Sequence, residues 1–227
     1  MNKRTDIISA APIFEGLPEE QLHELRKIAV EKEYGRGRSI FIEGDKGNGF
    51  YIVAEGSVKI FKVSMEGKEQ ILHIFGPGEP FGEVPVFTGK MFPANAEAIS
   101  KSSLLFFPRD DFINLISRNP SLALNMLGVL SMRLRQFTVQ VENLSLKEVP
   151  GRLAGYLRLL SKEQDNNVQV VLNISKNQLA SLLGTIPETM SRIFTKMSER
   201  GLIEVEGQMI KLIDNEGLDD LAEQGKL

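Results

Sequence analysis

The stretch "SKNQLASLLGTIPETMSRIFTKMSERG", residues 175–201, decides what the last third of the chain must be. It holds two helical periods, one on each side of Gly184. Leu179, Leu182 and Leu183 supply the apolar face of the first, and Met190, Ile193, Phe194 and Met197 that of the second,. Each period opens on a capping-box pattern, a hydroxyl residue followed three positions later by Gln or Glu: Ser175 with Gln178, and Thr185 with Glu188,. Around this core lie an amphipathic stretch, "PGRLAGYLRLLSK" (150–162), and an apolar β-prone run, "VQVVL" (168–172). The segment "GLIEVEGQMIKLID" (201–214) then reads as two strands about a turn at Gly207,. Two short helices followed by a hairpin predict a winged helix-turn-helix over residues 148–227,.

A helix lying in the major groove reads base edges with exposed residues near its N-terminus. Glu188, Ser191 and Arg192 stand at i, i+3 and i+4 and so share one face, opposite Met190, Ile193 and Phe194,. Arg192 can donate two hydrogen bonds to guanine O6 and N7, and Glu188 can accept one from the amino group of cytosine. Glu188 has a second reading, as the acidic half of the Thr185 capping box. Ser175, Lys176, Thr189 and Gln208 are the candidate phosphate contacts, which position a protein without specifying sequence,.

Upstream, Leu127, Leu130, Leu134, Phe137, Val141 and Leu144 recur at intervals of 3, 4, 3, 4 and 3. A seam this narrow predicts a two-helix dimer contact within a helix over 109–147, ending at a hinge marked by Pro150 and Gly151,. Residues 1–108 have a different character. Glycines recur at 44, 56, 67, 78 and 89; "SIFI" precedes them, "FYIVA", "SVKIFKV" and "QILHIF" lie between them, and "SLLFF" follows. Short β-prone runs at this spacing predict a jelly-roll sandwich or small barrel, preceded by a helix at "LPEEQLHELRKIA" (17–29),. The fold class expected is α+β: a β jelly-roll sensor domain, a dimerisation helix and a winged helix-turn-helix.

Composition narrows the chemistry. The 227 residues include no cysteine, which removes thiolate zinc sites and cysteine-held iron–sulfur clusters,. Only His23 and His73 are present, too few for a multi-histidine metal site or cupin-type metal chemistry, and no nucleophile–base pair is evident,. The chain is therefore not expected to be an enzyme. No apolar run reaches the ~20 residues a membrane helix needs, and no secretory signal is visible, so a cytoplasmic protein is expected. The net charge of −3 conceals a gradient. Residues 147–200 hold eight Lys/Arg against five Asp/Glu, whereas 201–227 hold two against seven. The basic excess falls on the segment expected to meet DNA.

The order sensor, long helix, winged helix resembles the CRP/FNR superfamily of bacterial transcription regulators. The motifs that carry the resemblance are "PGEPFGE" (77–83), "TIPETMSRIF" (185–194) and "ERGLIEVEGQMIKL" (199–212). The resemblance implies a homodimer on a palindromic operator and contact with RNA polymerase. Glu188, Ser191 and Arg192 resemble the FNR branch, implying TTGAT-type half-sites. Pro187 stands where the CRP branch carries Arg just before that glutamate.

The resemblance also frames the effector. In nucleotide-binding members a Gly-Glu pair holds the ribose, and an Arg-Ser pair about ten residues later clamps the cyclic phosphate. Gly82-Glu83 matches the first; Pro93-Ala94 replaces the second with neither a cation nor a hydroxyl. A desolvated phosphate without such donors is costly, so cyclic AMP is not expected. The "FPANAEA" segment (92–98) with the Glu-x-x-Ser-Arg helix resembles the DNR/HcpR branch, which implies haem b and nitric oxide or a related gas. Phe75, Phe81, Val84, Phe87, Met91 and Phe92 would then line the pocket with Gly82, Glu83, Pro93 and Ala94. His73 is the first axial-ligand candidate, His23 the second, with Met91 and Met132 behind them,. A non-haem effector, no effector, and a cyclic nucleotide are the alternatives.

Overall fold

The computed structural model describes residues 3–226, with side chains from Ile7 onward. It divides into two compact units, Met1–Leu134 and Arg135–Leu227.

The first unit is a sandwich of two four-stranded antiparallel sheets, the architecture expected of the N-terminal domain. One sheet runs β1 (Val30–Tyr34), β8 (Ser102–Pro108), β3 (Gly49–Glu55), β6 (Pro80–Phe81). The other runs β2 (Ser39–Phe41), β7 (Asn95–Ala98), β4 (Val58–Val63), β5 (Glu69–Phe75). The unbroken apolar runs "FYIVA" and "SLLFF" have a simple cause, which is burial on both faces. On β3 and β8, Tyr51, Val53, Leu104 and Phe106 face the interior between the sheets. Their neighbours Phe50, Ile52, Leu105 and Phe107 face a second core. Helices cover that core: α1 (Lys3–Ala10), α2 (Glu19–Ile28), α4 (Arg109–Arg118) and the start of α5 (Pro120–Leu146). The turn glycines 44, 56, 67, 78 and 89 all adopt positive φ, between 66° and 88°, where a side chain would be strained,.

The second sheet carries a buried cation on its outer face. Lys59 of β4 is 7% exposed and pairs with Glu69 of β5 and Glu97 of β7, while its ammonium lies 4.3 Å from the Phe61 ring centre. Two carboxylates and an aromatic face replace the water that burial removed. Elements with a polar sequence were not visible beforehand. β1 reads "VEKEY", and is held as a strand by pairing with β8 from Val30–Phe106 to Tyr34–Ser102.

The segment 109–147, expected as one helix, is two. α4 ends at Arg118, Asn119 leaves the helical region (φ −134°, ψ 78°), and Pro120 opens α5. A residue preceding proline is pushed out of the α region, which breaks the period there.

In the second unit, α6 (Val149–Glu163) precedes β9 (Gln169–Val171), then α7 (Lys176–Leu182), α8 (Pro187–Glu199), β10 (Ile203–Glu206) and β11 (Met209–Leu212). The three strands form one antiparallel sheet in the order β10-β11-β9, with the wing turn at Gly207 (φ 65°). The acidic C-terminal stretch is α9 (Asn215–Gln224), packed on α6, where Arg158 pairs with Asp219 and donates to Asn215. Pro150 and Gly151 are not a hinge; they lie in the first turn of α6. Proline is preorganised for that position, and Gly151 serves close packing. A Cβ on Gly151 would come within 2.5 Å of the Gly225 Cα. The interruption between α5 and α6 falls instead at Lys147 and Glu148. Arg152 bridges it, its Nη1 donating to the Lys147 carbonyl at 2.8 Å and the Leu144 carbonyl at 3.3 Å.

Candidate nucleic-acid interface and effector pocket

The helix-turn-helix is built as its sequence suggests at one end and differently at the other. Ser175 caps α7 reciprocally with Gln178: the Gln178 N–H donates to the Ser175 hydroxyl at 3.2 Å, and the Ser175 N–H donates to the Gln178 side chain at 2.9 Å. The matching box at Thr185 and Glu188 does not form. The N-cap of α8 is Ile186, which makes no side-chain cap hydrogen bond, and Pro187 occupies the first helical position. Proline fixes φ for a helix start one residue later than the pattern implied, so Thr185 is too early to cap.

Glu188 is thereby freed from the capping role. It lies exposed with Ser191 and Arg192, while Met190, Ile193, Phe194 and Met197 are buried behind them. Among the described residues neither Glu188 nor Arg192 makes an ion pair. Thr195 continues the same exposed face one turn on,. Of the phosphate candidates, Ser175 and Lys176 are exposed at the start of α7, and the Lys176 ammonium lies 5.2 Å from the Phe194 ring centre. Thr189 is half-buried beside that exposed face, and Gln208 is exposed at the wing turn, its carbonyl accepting from the Leu172 N–H at 2.9 Å.

The stripe expected as a dimer seam is largely exposed in the single chain. Leu127, Leu134, Phe137 and Val141 are exposed, Leu134 by 69%; Leu130 and Leu144 are half-buried. α5 anchors itself in the first unit with other residues, Leu122 and Met126, which are buried in its helix-covered core. The division between anchoring and exposed positions is what a helix serving two partners requires.

In the first unit, Gly82 (φ 74°) follows β6, and Glu83 stands at the N-cap position of α3 (Val84–Thr88) without a side-chain cap hydrogen bond. Phe41 and Phe92 stack at 3.7 Å beside Gly82, where a Cβ would come within 3.2 Å of the Phe41 ring. Phe75, Phe81 and Phe92 are buried in the interior between the sheets and Ala94 is buried beside Phe92 in sequence, whereas Val84, Phe87, Met91 and Pro93 are exposed. The expected pocket wall is thus split between a packed interior and a solvent-facing turn. His73, on the same face of β5 as Phe75, lies 3.7 Å from the Glu79 carboxylate, and its ring meets Phe75 edge-on at 4.5 Å. Burial pushes the Glu79 carboxyl up, but His73, the Gly76 N–H at 2.7 Å and the Arg133 charge outweigh it and hold the group below its ordinary value. His23 is exposed on α2, whose buried face belongs to the other core.

One residue beside the candidate pocket escaped the sequence altogether. Arg133 of α5 reaches the Gly82-Glu83 turn: its Nη1 donates to Glu83 Oε1 at 3.2 Å, its Nη2 donates to the Pro80 carbonyl, and its guanidinium lies 4.8 Å from the Phe75 ring centre. Both side chains of the pair are 15% exposed. The available signal was a cation between seam positions Leu130 and Leu134 in "SMRLRQF" (131–137). Its target lies 50 residues away in sequence, so nothing local revealed it. A second cation lies at the far rim. Lys62 donates to the Pro93 carbonyl at 3.1 Å and pairs with Glu43.

Comparison with known proteins agrees with this arrangement. Residues 31–119 match the cyclic nucleotide-binding domain family, and residues 151–221 match the Crp-like helix-turn-helix family. The chain is 31% identical over 215 residues to the cyclic AMP receptor protein of Thermus thermophilus, covering 95% of this chain and 98% of that one. It is 30% identical over 191 residues to the transcriptional activator protein FnrA of Stutzerimonas stutzeri, covering 82% and 78% respectively. Among solved structures, a CRP/FNR-family transcriptional regulator of Thermus thermophilus superposes with a TM-score of 0.70 at 27% identity, covering 86% of this chain and all of that one. This chain belongs to the CRP/FNR family of DNA-binding transcription regulators.

Proposed function

We propose that the protein is a homodimeric regulator that reads a TTGAT-like palindrome and is switched by a small polar effector at Glu83 and Arg133. The observation that carries this reading is the placement of Arg133. One helix, α5, presents the pocket's cation at position 133 and the dimer seam at 130, 134 and 137. An effector with a hydroxyl for Glu83 and an anionic or acceptor group for Arg133 competes with the existing pair and with the Pro80 carbonyl. It thereby acts directly on the helix that pairs the two protomers. The seam in turn sets the spacing of two reading helices that must meet major grooves about 34 Å apart. Contact with RNA polymerase completes the proposed activator role, in the cytoplasm.

Haem and its nitric-oxide chemistry do not enter this reading. Neither histidine is placed for it: His73 is engaged with Glu79, and His23 is exposed on α2. Met91 and Met132 are 55% and 59% exposed. The interior between the sheets is occupied by stacked aromatic rings, Phe41 on Phe92 and Tyr51 on Phe81. These placements favour a polar effector over haem in this reading. A cyclic nucleotide, the effector for which two relatives are named, satisfies the polar requirement through Glu83 and Arg133. At the Pro93-Ala94 rim it finds no side-chain donor from those two residues.

The test compares wild type with Arg133→Gln. Thermal stabilisation is measured with cyclic AMP, with cyclic GMP and with a panel of phosphate-free hydroxy acids and sugars. A ligand that stabilises wild type should act on the variant at a midpoint roughly 10- to 100-fold higher, the loss of one charge-assisted contact. An unchanged midpoint removes Arg133 from the site. A stoichiometric, saturable Soret band on anaerobic haem titration would overturn the polar-effector reading in favour of haem.

A further inference from the structure

The start of α8 breaks a local rule. Ser, Thr, Asn and Asp are strongly preferred at a helix N-cap because they satisfy an orphan N–H, and α7 follows the rule with a complete box,. α8, the helix that faces DNA, has Ile186 there, with no side-chain cap hydrogen bond. Nor is Ile186 held there for the core: its side chain is 47% exposed, whereas Met190, Ile193, Phe194 and Met197 bury the apolar face. Pro187, also exposed, follows it, and Glu188 opens the reading face immediately after. A bulky apolar side chain thus stands uncovered at the tip of the groove-entering helix, at the position where a polar residue would stabilise that helix. Local rules broken in this way mark functional positions.

We infer that Ile186 is a specificity-determining residue that packs against the C5-methyl group of a thymine in each half-site. In the major groove that methyl is the one apolar feature of a base pair, and an aliphatic side chain is its natural complement. The inference rests on the DNA-reading role of α8. It adds to Glu188, Ser191 and Arg192 a contact made by shape and hydrophobic burial rather than by hydrogen bonding. The bare N-cap is then the cost in stability of a group retained for recognition.

The experiment pairs a protein substitution with a base substitution. The operator is first obtained by selection from random duplex DNA with the full-length dimer. Each thymine pair related by the palindrome is then replaced by deoxyuridine, which removes only the methyl. Affinities are measured for wild type, Ile186→Ser and Ile186→Ala. At one symmetric position the missing methyl should weaken wild type by about fourfold per half-site, the value of one buried methyl group. Both variants should be indifferent to it there. Ile186→Ser should also raise Tm by about 2–4 °C by restoring a helix cap, a gain that a packing residue could not show. Equal losses for wild type and variants at every thymine overturn the inference, as does a fall in Tm for both variants. Failure of selection to enrich any sequence would instead remove the DNA-reading role on which it rests.

Discussion

Replacing Arg192 by alanine should lower affinity for the selected operator by roughly 30- to 3 × 10^4-fold and leave binding to random duplex DNA nearly unchanged. The range follows from about 1–3 kcal/mol for each bidentate arginine–guanine contact, counted once in each of two half-sites. The structure makes the substitution a clean probe. Arg192 is exposed, makes no ion pair among the described residues, and lies on the face opposite the buried Met190, Ile193 and Phe194. Its removal should therefore leave Tm and the dimer intact. Specific and random DNA are compared in a gel-shift titration at fixed salt, because the phosphate contribution alone varies steeply with ionic strength. An unchanged preference for the selected sequence would take base reading away from this side chain. Loss of specific and non-specific binding together would place Arg192 among the phosphate contacts.

Leu134→Glu should convert the dimer into monomers. Leu134 is 69% exposed in the single chain, so the substitution costs the protomer fold little. In a two-fold helix pair it sets two carboxylates near each other in an apolar seam. The desolvation and repulsion amount to several kcal/mol, or roughly a 10^3-fold rise in the dimer dissociation constant. Sedimentation at micromolar concentration reads the result directly, and operator binding should fall with it because half-sites are then engaged singly. A dimer of unchanged stability would show that the exposed stripe at Leu127, Leu134, Phe137 and Val141 is not the interface. The neighbouring residue makes an informative control. Arg133→Gln alters the pocket side of the same helix and should leave the dimer in place.

The winged helix-turn-helix and the sandwich were legible in the residue order because their signals are local. Apolar positions at helical spacing, turn glycines that all require positive φ, and the Ser175–Gln178 box each depend on residues a few positions apart. The face carrying Glu188, Ser191 and Arg192 followed for the same reason: residues at i, i+3 and i+4 share a helix face in any fold. Local patterns also misled where a single proline shifted a boundary. Pro120 divides the segment expected as one helix, and Pro187 moves the start of α8 beyond Thr185. Gly151 read as a hinge because glycine permits flexibility as well as close approach, and only the distance to Gly225 distinguishes the two.

What tertiary structure alone decided lies in pairs distant along the chain. The Arg133–Glu83 pair joins residues 50 apart, Lys59 is neutralised by Glu69 and Glu97 from two different strands, and Arg158 holds the acidic last helix through Asp219. No periodicity encodes such meetings, because a charge on a helix is equally at home in water until packing brings its partner. The sequence by itself determined the two architectures and the exposed face shared by Glu188, Ser191 and Arg192. The meeting of Arg133 with Glu83 depended on how α5 packs on the sandwich, since burial is what turns two solvated charges into one pair.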